Sequence, residues 1–239
     1  LNILIIDTAT DLELISVTTE DKTYEFAESM KMSHSVTMFD SIKRILDKAS
    51  LAINDISLIG VGVGPGSFTG VRIAVSTARM IAQILDIPLV GVTTQEIFAA
   101  SAGSNNENKV LVAFDAKKSR VFGALYRFNK APYMETLIDA GDYSMEFMLK
   151  TLTAGDKVLC IGDGCSRYRD VIAAAADAAG FSFSIMEEFI PSGEVTSQLI
   201  LKKYNENPDK YRFYDKTGPL YARKSDAEIA LNEKKQREM

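Results

Sequence analysis

Asp7 and Asp115 each end an apolar run, in "NILIIDTAT" and "VLVAFDAKK", and a turn of small or polar residues follows each of them. A carboxylate at a strand end, beside the Thr8 hydroxyl in the first case, can bind a metal ion or hold a phosphate through the turn. The same residue in a turn also bonds to its own backbone N–H groups, and that is the plainer reading of Asp7. The second turn mixes Asp115 with Lys117, Lys118 and Arg120, the composition of a solvated turn. Glycines supply the other candidates. Four of them and a proline fall between Gly60 and Gly66 in "GVGVGPGSFTGVRIA", and Gly162 and Gly164 flank Asp163 in "GDG". A Walker loop needs a Gly-Lys-Ser/Thr end whose ammonium neutralises the outer phosphates. Here Ser67, Phe68 and Thr69 follow the glycines, and no lysine stands between them and Asp86. The dinucleotide fingerprint fails as well, because Ser67 occupies the place of its third glycine. A strand running into a helix N-terminus can still receive an anion on its free N–H groups. The turn therefore reads first as structural and second as a phosphate contact.

Other chemistry is sparse. His34 is the only histidine, so a multi-histidine metal site cannot be built, and a capping or surface role fits it better. No serine sits in a Gly-x-Ser-x-Gly elbow. Cys160 and Cys165 have neither zinc-like spacing nor a second pair. The expectation is a chain with no catalytic residue, no metal and no cofactor. Weak nucleotide-contact candidates remain at Asp7, Thr8, Asp115, Gly162 and Gly164.

The elements that would position these residues follow from periodicity. The chain has 239 residues, 46% of them hydrophobic and 25% charged, enough for one large domain or two small ones. A net charge of −5 argues against nucleic acid gripped over the whole surface. No apolar run approaches the roughly 20 residues that span a bilayer, and the first segment lacks the basic flank of a signal peptide. A cytoplasmic protein is expected. "NILIID" and "LELISVTT" form a hairpin. Apolar positions from Met38 to Ala49 mark a helix beginning near Ser33, with Ser33 or Ser35 as cap. "ISLIGVGVG" is a buried strand, Thr69 to Leu85 a helix, "PLVGVTT" a strand, and Gln95 to Ala102 a helix. "AGSNNEN" is a linker.

After the linker the order returns: "VLVAFDAKKSRVFGALY", a helix near Tyr143 to Thr151, the strand "KVLCIGDG", a helix from Tyr168 to Ala179, the strand "FSFSIM", and a helix entered through "PSGEVTSQLILKKYNE". Asp7 answers Asp115, and Gly64 answers Gly162. The pattern predicts an α/β protein of two similar lobes, 1–102 and 103–215, followed by a C-terminal segment 216–239 of unassigned lobe. The end of that segment reads as a helical or frayed solvated tail.

The helix after the glycine turn carries more information than the turn. At roughly 100° per residue, Val71, Ala74, Val75, Ala78, Ala82 and Leu85 fall on one face. Ile73, Thr77, Met80 and Ile84 fall on a second, with Ile81 between them. Arg72, Ser76, Arg79, Gln83 and Asp86 leave only a narrow polar strip. The apolar arc is roughly twice the span of about 100° that a helix lying on its own core requires. The surplus either is buried on both sides within one lobe or meets another chain. The second reading is preferred, with Val71, Ile73, Ala74, Thr77, Ala78, Met80, Ile81 and Ile84 as the candidate surface; the helix from Ser33 is ordinary by comparison.

Taken in order, "IDTAT", "SHS", "GVGPGSFTGVRIA", "FDAKKSRVFGALY", "GDG" and "PLYARKSDAE" resemble the TsaB (YeaZ) family. The glycine-turn segment is the most specific of these matches. The resemblance implies an actin/Hsp70-like (ASKHA) fold with two ribonuclease-H-like lobes. It also implies a non-catalytic role in making N6-threonylcarbamoyladenosine in tRNA. The family pairs with a paralogous catalytic subunit, TsaD, which binds the metal and transfers the threonylcarbamoyl group, and an ATPase, TsaE, joins them. TsaD-type chains carry a paired-histidine motif where this chain has only His34. The resemblance further implies that the first-lobe helices from Ser33 and Thr69 dimerise, with a second copy or with TsaD, which adds Val36 and Phe39 to the candidate surface; that tRNA is reached through the complex; and that no membrane is involved. Actin-like ancestry would place ATP between the lobes, against the turns at Asp7, Asp115 and Gly162. The alternative function is accordingly an ATP-dependent phosphotransferase.

Overall fold

A computed structural model describes residues 1–29, 34–103, 108–130 and 133–223, with backbone only at 29, 34–37, 129, 130 and 133. The Ser33 and Ser35 caps, the His34 side chain, most of the linker and the C-terminal tail lie outside the residues or side chains described.

Two sheets of the same topology face each other across a layer of helices. The first is built from β1 (Ile3–Asp7), β2 (Leu12–Thr18), β3 (Thr23–Ser29), β4 (Leu58–Gly62) and β5 (Leu89–Val92), in the order β3-β2-β1-β4-β5. The second uses β6 (Lys109–Asp115), β7 (Val121–Lys130), β8 (Tyr133–Tyr143), β9 (Lys157–Ile161) and β10 (Ser182–Met186), in the matching order β8-β7-β6-β9-β10. In each sheet the first three strands form an antiparallel meander, and two further strands join in parallel. Parallel neighbours need crossovers, which helices supply. Those helices are α1 (His34–Ala49) and α2 (Phe68–Leu85) in the first lobe, and α4 (Met145–Leu149), α5 (Asp163–Arg167) and α6 (Arg169–Ala179) in the second.

Two helices, α3 (Thr94–Ala102) from the first half and α7 (Gly193–Glu206) from the second, fill the layer between the sheets. They are exchanged: α3 packs on β6, β7 and β8, whereas α7 packs on β1, β2, β3 and β5. Both sheets are therefore covered on both faces, which explains why β1, β4, β6 and β9 read as unbroken apolar runs. Ile3, Ile5 and Leu14 point to the middle layer with Val110 and Val112, while Leu4, Ile6 and Ile15 point outward under α1 and α2. The outer face of the second sheet is closed by α4, α5 and α6 around Leu111, Leu125 and Met148. The boundaries expected at 102 and 215 follow chain order; in space, α3 and α7 each lie on the sheet of the other half. Among the described residues, no helix is long and apolar enough to cross a membrane.

Candidate functional site

The glycine turn is shaped by what lies against it. Ser67 caps α2, its Oγ accepting the Gly70 N–H at 3.2 Å. The β1–β2 turn presses onto the same first turn of the helix: Ser67 N donates to the Ala9 carbonyl at 2.6 Å, and the Thr8 hydroxyl donates to the Gly70 carbonyl at 2.7 Å. A Cβ at Gly66 or Gly70 would overlap the carbonyl oxygens of Ala9 and Thr8. These two glycines let two backbones touch, and Thr8 spends its hydroxyl on that junction.

Asp7 sits on the opposite side of the sheet. Its Oδ1 accepts Ala9 N–H at 2.9 Å and the Thr94 hydroxyl of α3 at 3.3 Å, while Oδ2 is buried without a partner. Burial pushes this carboxyl up to about 6, against the smaller opposing pull of those two hydrogen bonds.

Between the lobes lies a cavity of about 650 Å³, walled by the β1–β2 turn, the glycine turn, the β6–β7 turn, the β9–α5 junction and residues 220–223. Asp115 and Gly162 line it. Asp7 and Thr8 do not, and Gly164 packs instead against the Ala113 carbonyl beneath α5. The structure thus separates two aspartates that the sequence pattern pairs: Asp7 lies on the middle-layer face of its sheet and Asp115 on the outer face of the other. Asp115 is nearly covered. Burial alone would raise its pKa, but the Lys117 ammonium at 2.8 Å, the Lys117 N–H and the Arg167 guanidinium at 3.4 Å outweigh burial and hold it below the usual carboxylate range. Asp163 supports it from behind, accepting Asp115 N–H at 3.0 Å. The turn expected to be merely solvated is a bonded cluster: Arg120 holds Asp142 at 2.8 Å, and the Ala116 carbonyl accepts from Arg223 at 2.9 Å. Aromatic rings, among them Phe98, Phe114, Phe122 and Phe189, make up much of the remaining wall.

A magnesium–nucleotide, which the family resemblance would place between the lobes, fits this wall poorly. Asp115 is already neutralised by two cations, and Asp7 faces α3. Among the described residues, no group of three His, Cys, Asp or Glu is placed to hold a metal ion.

The outer face of the first lobe is the second candidate. Burial resolves the two apolar faces of α2. Val71, Ala74, Val75, Ala78 and Ala82 are sealed against the sheet, so the candidate surface loses Val71, Ala74 and Ala78. Thr77 and Ile81 are also buried, and Ile73 is half-buried. Met80 is 42% exposed and Ile84 74%, and Phe39 on α1 is 53% exposed. The Val36 side chain lies outside the description. The polar strip of α2 is not simply solvated. Arg72 Nε donates to the Tyr221 hydroxyl at 2.7 Å, and Arg79 Nη2 donates to the Asp215 carbonyl at 3.0 Å. Periodicity alone does not reveal this C-terminal covering; its one signal in the sequence is that "PLYARKS" travels with the other motifs of the resemblance.

Two lobes of identical strand order, with a cleft between them and exchanged central helices, define a protein of the two-lobed actin/Hsp70-like class. A family model described as TsaD, tRNA N6-adenosine threonylcarbamoyltransferase, matches residues 26–231. The Bacillus subtilis tRNA threonylcarbamoyladenosine biosynthesis protein TsaB is 32% identical over 183 residues, covering 76% of this chain and 79% of that protein. The Escherichia coli TsaB is 32% identical over 128 residues, covering 53% of this chain and 55% of that protein. The solved structure of YeaZ from Pseudomonas aeruginosa superposes with a TM-score of 0.77 at 21% identity, covering 92% of this chain and 99% of that one. The chain belongs to the TsaB (YeaZ) family.

Proposed function

We propose that this chain is a non-catalytic partner subunit in the formation of tRNA N6-threonylcarbamoyladenosine. It docks on the paralogous catalytic subunit TsaD and activates it, with the ATPase TsaE in the same assembly. The observation that carries this reading is the exposure of Phe39, Met80 and Ile84 on the outer helices of a lobe whose inner helix face is already filled. Large apolar side chains gathered on one surface mark an association site. Alone, the chain pairs with a second copy through the same face, and tRNA is reached through the complex. The docking lobe corresponds to residues 1–102, the second to 103–215, and the working compartment is the cytoplasm. The names of the matched relatives support the pathway, and the single histidine supports the accessory over the metal-binding role.

Reconstitution of the modification with and without this chain tests the proposal. Product should form only with TsaD, TsaE and this chain together. Full product without it would overturn the reading.

A second reading, an ATP-dependent phosphotransferase, draws on the interlobe cavity. It ranks below the first because Asp7 is off the cavity wall and Asp115 is spoken for. Saturable calorimetric binding of ATP with magnesium, followed by turnover by this chain alone, would promote it.

A further inference from the structure

Residues 212–223 contain only a short 3-10 turn (Tyr214–Lys216), yet they are bonded along their length. Four attachments are to the first lobe. The Asp215 carbonyl takes Arg79, and the buried Thr217 donates its hydroxyl to the Leu89 carbonyl at 3.1 Å. Leu220 N donates to the Val63 carbonyl at 2.8 Å, and the Tyr221 hydroxyl takes Arg72. The Tyr221 ring stands 5.3 Å from that of Phe68, and the Arg72 guanidinium lies 3.7 Å from the Phe68 ring centre. The next contact crosses the cleft. Arg223 Nη2 donates to the Ala116 carbonyl at 2.9 Å, and its guanidinium lies 5.8 Å from the Phe122 ring centre; both partners belong to the second lobe. Leu220, Tyr221 and Arg223 all line the cavity.

A separate tie lies deeper. Gln95 is fully buried, and its Nε2 donates to the Pro65 carbonyl at 3.0 Å and to the Phe122 carbonyl at 3.1 Å, joining the glycine turn to β7. The lobes are thus pinned at an interior point, while Arg223 holds them from a half-buried position. A hinge needs a fixed pivot and a releasable contact away from it. A single guanidinium on a carbonyl and a ring is weak enough to release, unlike the apolar central layer.

We propose that residues 212–223 form a strap whose Arg223 clasps the second lobe and sets how far the lobes open over the interlobe cavity. The strap takes its first-lobe anchors from Arg72 and Arg79, on the helix that presents Met80 and Ile84. Closure and the outer face therefore share one rigid element. The clasp requires no partner, so it stands or falls independently of the docking reading.

Intrachain distance measurement by pulsed electron paramagnetic resonance tests it on the full chain. Spin labels are placed on cysteines introduced at the exposed Asp21 of the first lobe and Asp177 of the second; Cys160 and Cys165 are buried and stay unlabelled. Diluting labelled into unlabelled chain restricts the signal to intrachain pairs. The parent should give one narrow distribution, and Arg223→Ala should shift and broaden it to longer distances. Arg223→Lys, which keeps a donor but loses the guanidinium, should fall between them. Tyr221→Phe, which keeps the ring but loses the Arg72 bond, should move the same way by less. Arg127→Ala, which breaks an exposed Glu135 ion pair within the second lobe, should leave the distribution unchanged. An Arg223→Ala distribution identical to the parent's, or equal broadening in Arg127→Ala, would overturn the clasp.

Discussion

Arg72 and Tyr221 are 149 positions apart in the chain, yet the arginine Nε and the tyrosine hydroxyl meet at 2.7 Å. The contact, with the Arg79 bond to Asp215, anchors the C-terminal segment to the polar strip of α2, beside which Met80 and Ile84 stand exposed. The docking proposal rests on those two side chains and Phe39 of α1 standing exposed while the inner face of α2 is sealed, and that contrast makes the two faces of α2 separately testable.

Ala78 and Ile84 lie on opposite sides of one helix, so charge placed at each should fail in different ways. Ala78 is fully buried under the sheet, and Ala78→Arg should lower stability by several kcal/mol through overpacking and an unpaired buried charge. Ile84→Arg should leave the thermal midpoint of the dilute chain within a few degrees of the parent's, since exposed substitutions typically cost under about 0.5 kcal/mol. Thermal unfolding followed by circular dichroism separates the two. Equal destabilisation would mean that the outer face is not free.

Gly70→Ala sets two effects against each other. In an ordinary helix interior the change is favourable by about 1 kcal/mol. Here the new methyl would overlap the Thr8 carbonyl, and relieving it means moving the β1–β2 turn. Overpacking of this kind costs about 1–3 kcal/mol, so steric overlap should win and the variant should unfold earlier in urea. A stabilised variant would show that the junction yields easily.

Asp7 should make stability depend on pH with a definite sign. Its folded value of about 6 lies above the unfolded value of about 3.9, so the folded chain holds the proton more tightly. The stabilisation is complete below the unfolded value and is lost as pH rises through about 6. The loss approaches about 3 kcal/mol at neutral pH, because a tenfold difference in proton affinity is worth roughly 1.4 kcal/mol. Asp7→Asn keeps an acceptor for Ala9 and Thr94 and escapes this loss. Denaturant titrations should therefore show the variant more stable than the parent near pH 8, with the advantage vanishing near pH 3.5. A variant less stable at both ends contradicts the assignment.

Lys109 and Asp156 form an ion pair at 2.6 Å with side chains only 7% and 11% exposed, tying the start of β6 to the turn before β9. Burial opposes ionisation of Asp156, but the hydrogen bond and charge from Lys109 and the bonds from Thr153 overcome it and depress its pKa. A depressed carboxylate contributes stability above its unfolded value and loses it as pH falls toward its folded value. Lys109→Ala should cost about 3–5 kcal/mol at neutral pH, because it strands a buried carboxylate, and that penalty should shrink in acid. A pH-independent penalty would point to packing alone.

Much of this architecture is legible in the residues because burial on both faces leaves an unbroken apolar signature. β1, β4, β6 and β9 declare themselves that way, and α1, α2 and α7 do so by helical spacing or a capped turn. β3, "TYEFAES", and β8, "YMETLIDAGDY", are hard to read because they are edge strands whose charged residues blur the alternation. The exchange of α3 and α7 between sheets is hidden for a different reason: chain order carries no information about which sheet a helix covers. The same holds for the site. Asp7 and Asp115 end corresponding strands in the sequence pattern, but strand alternation turns Asp7 to the middle-layer face with Ile3 and Ile5, against Thr94, and Asp115 to the outer face with Leu111 and Ala113, against Lys117 and Arg167. The two apolar stripes of α2 are visible in the spacing, but which one meets solvent depends on the sheet beneath.

The most direct test of the docking account is the affinity of purified chain for purified TsaD, measured by calorimetry for the parent and for Met80→Arg and Ile84→Arg. The account predicts that each substitution weakens association at least tenfold, equivalent to a loss of about 1.4 kcal/mol or more, while the chain stays folded. Parent-like affinity in both variants would contradict it.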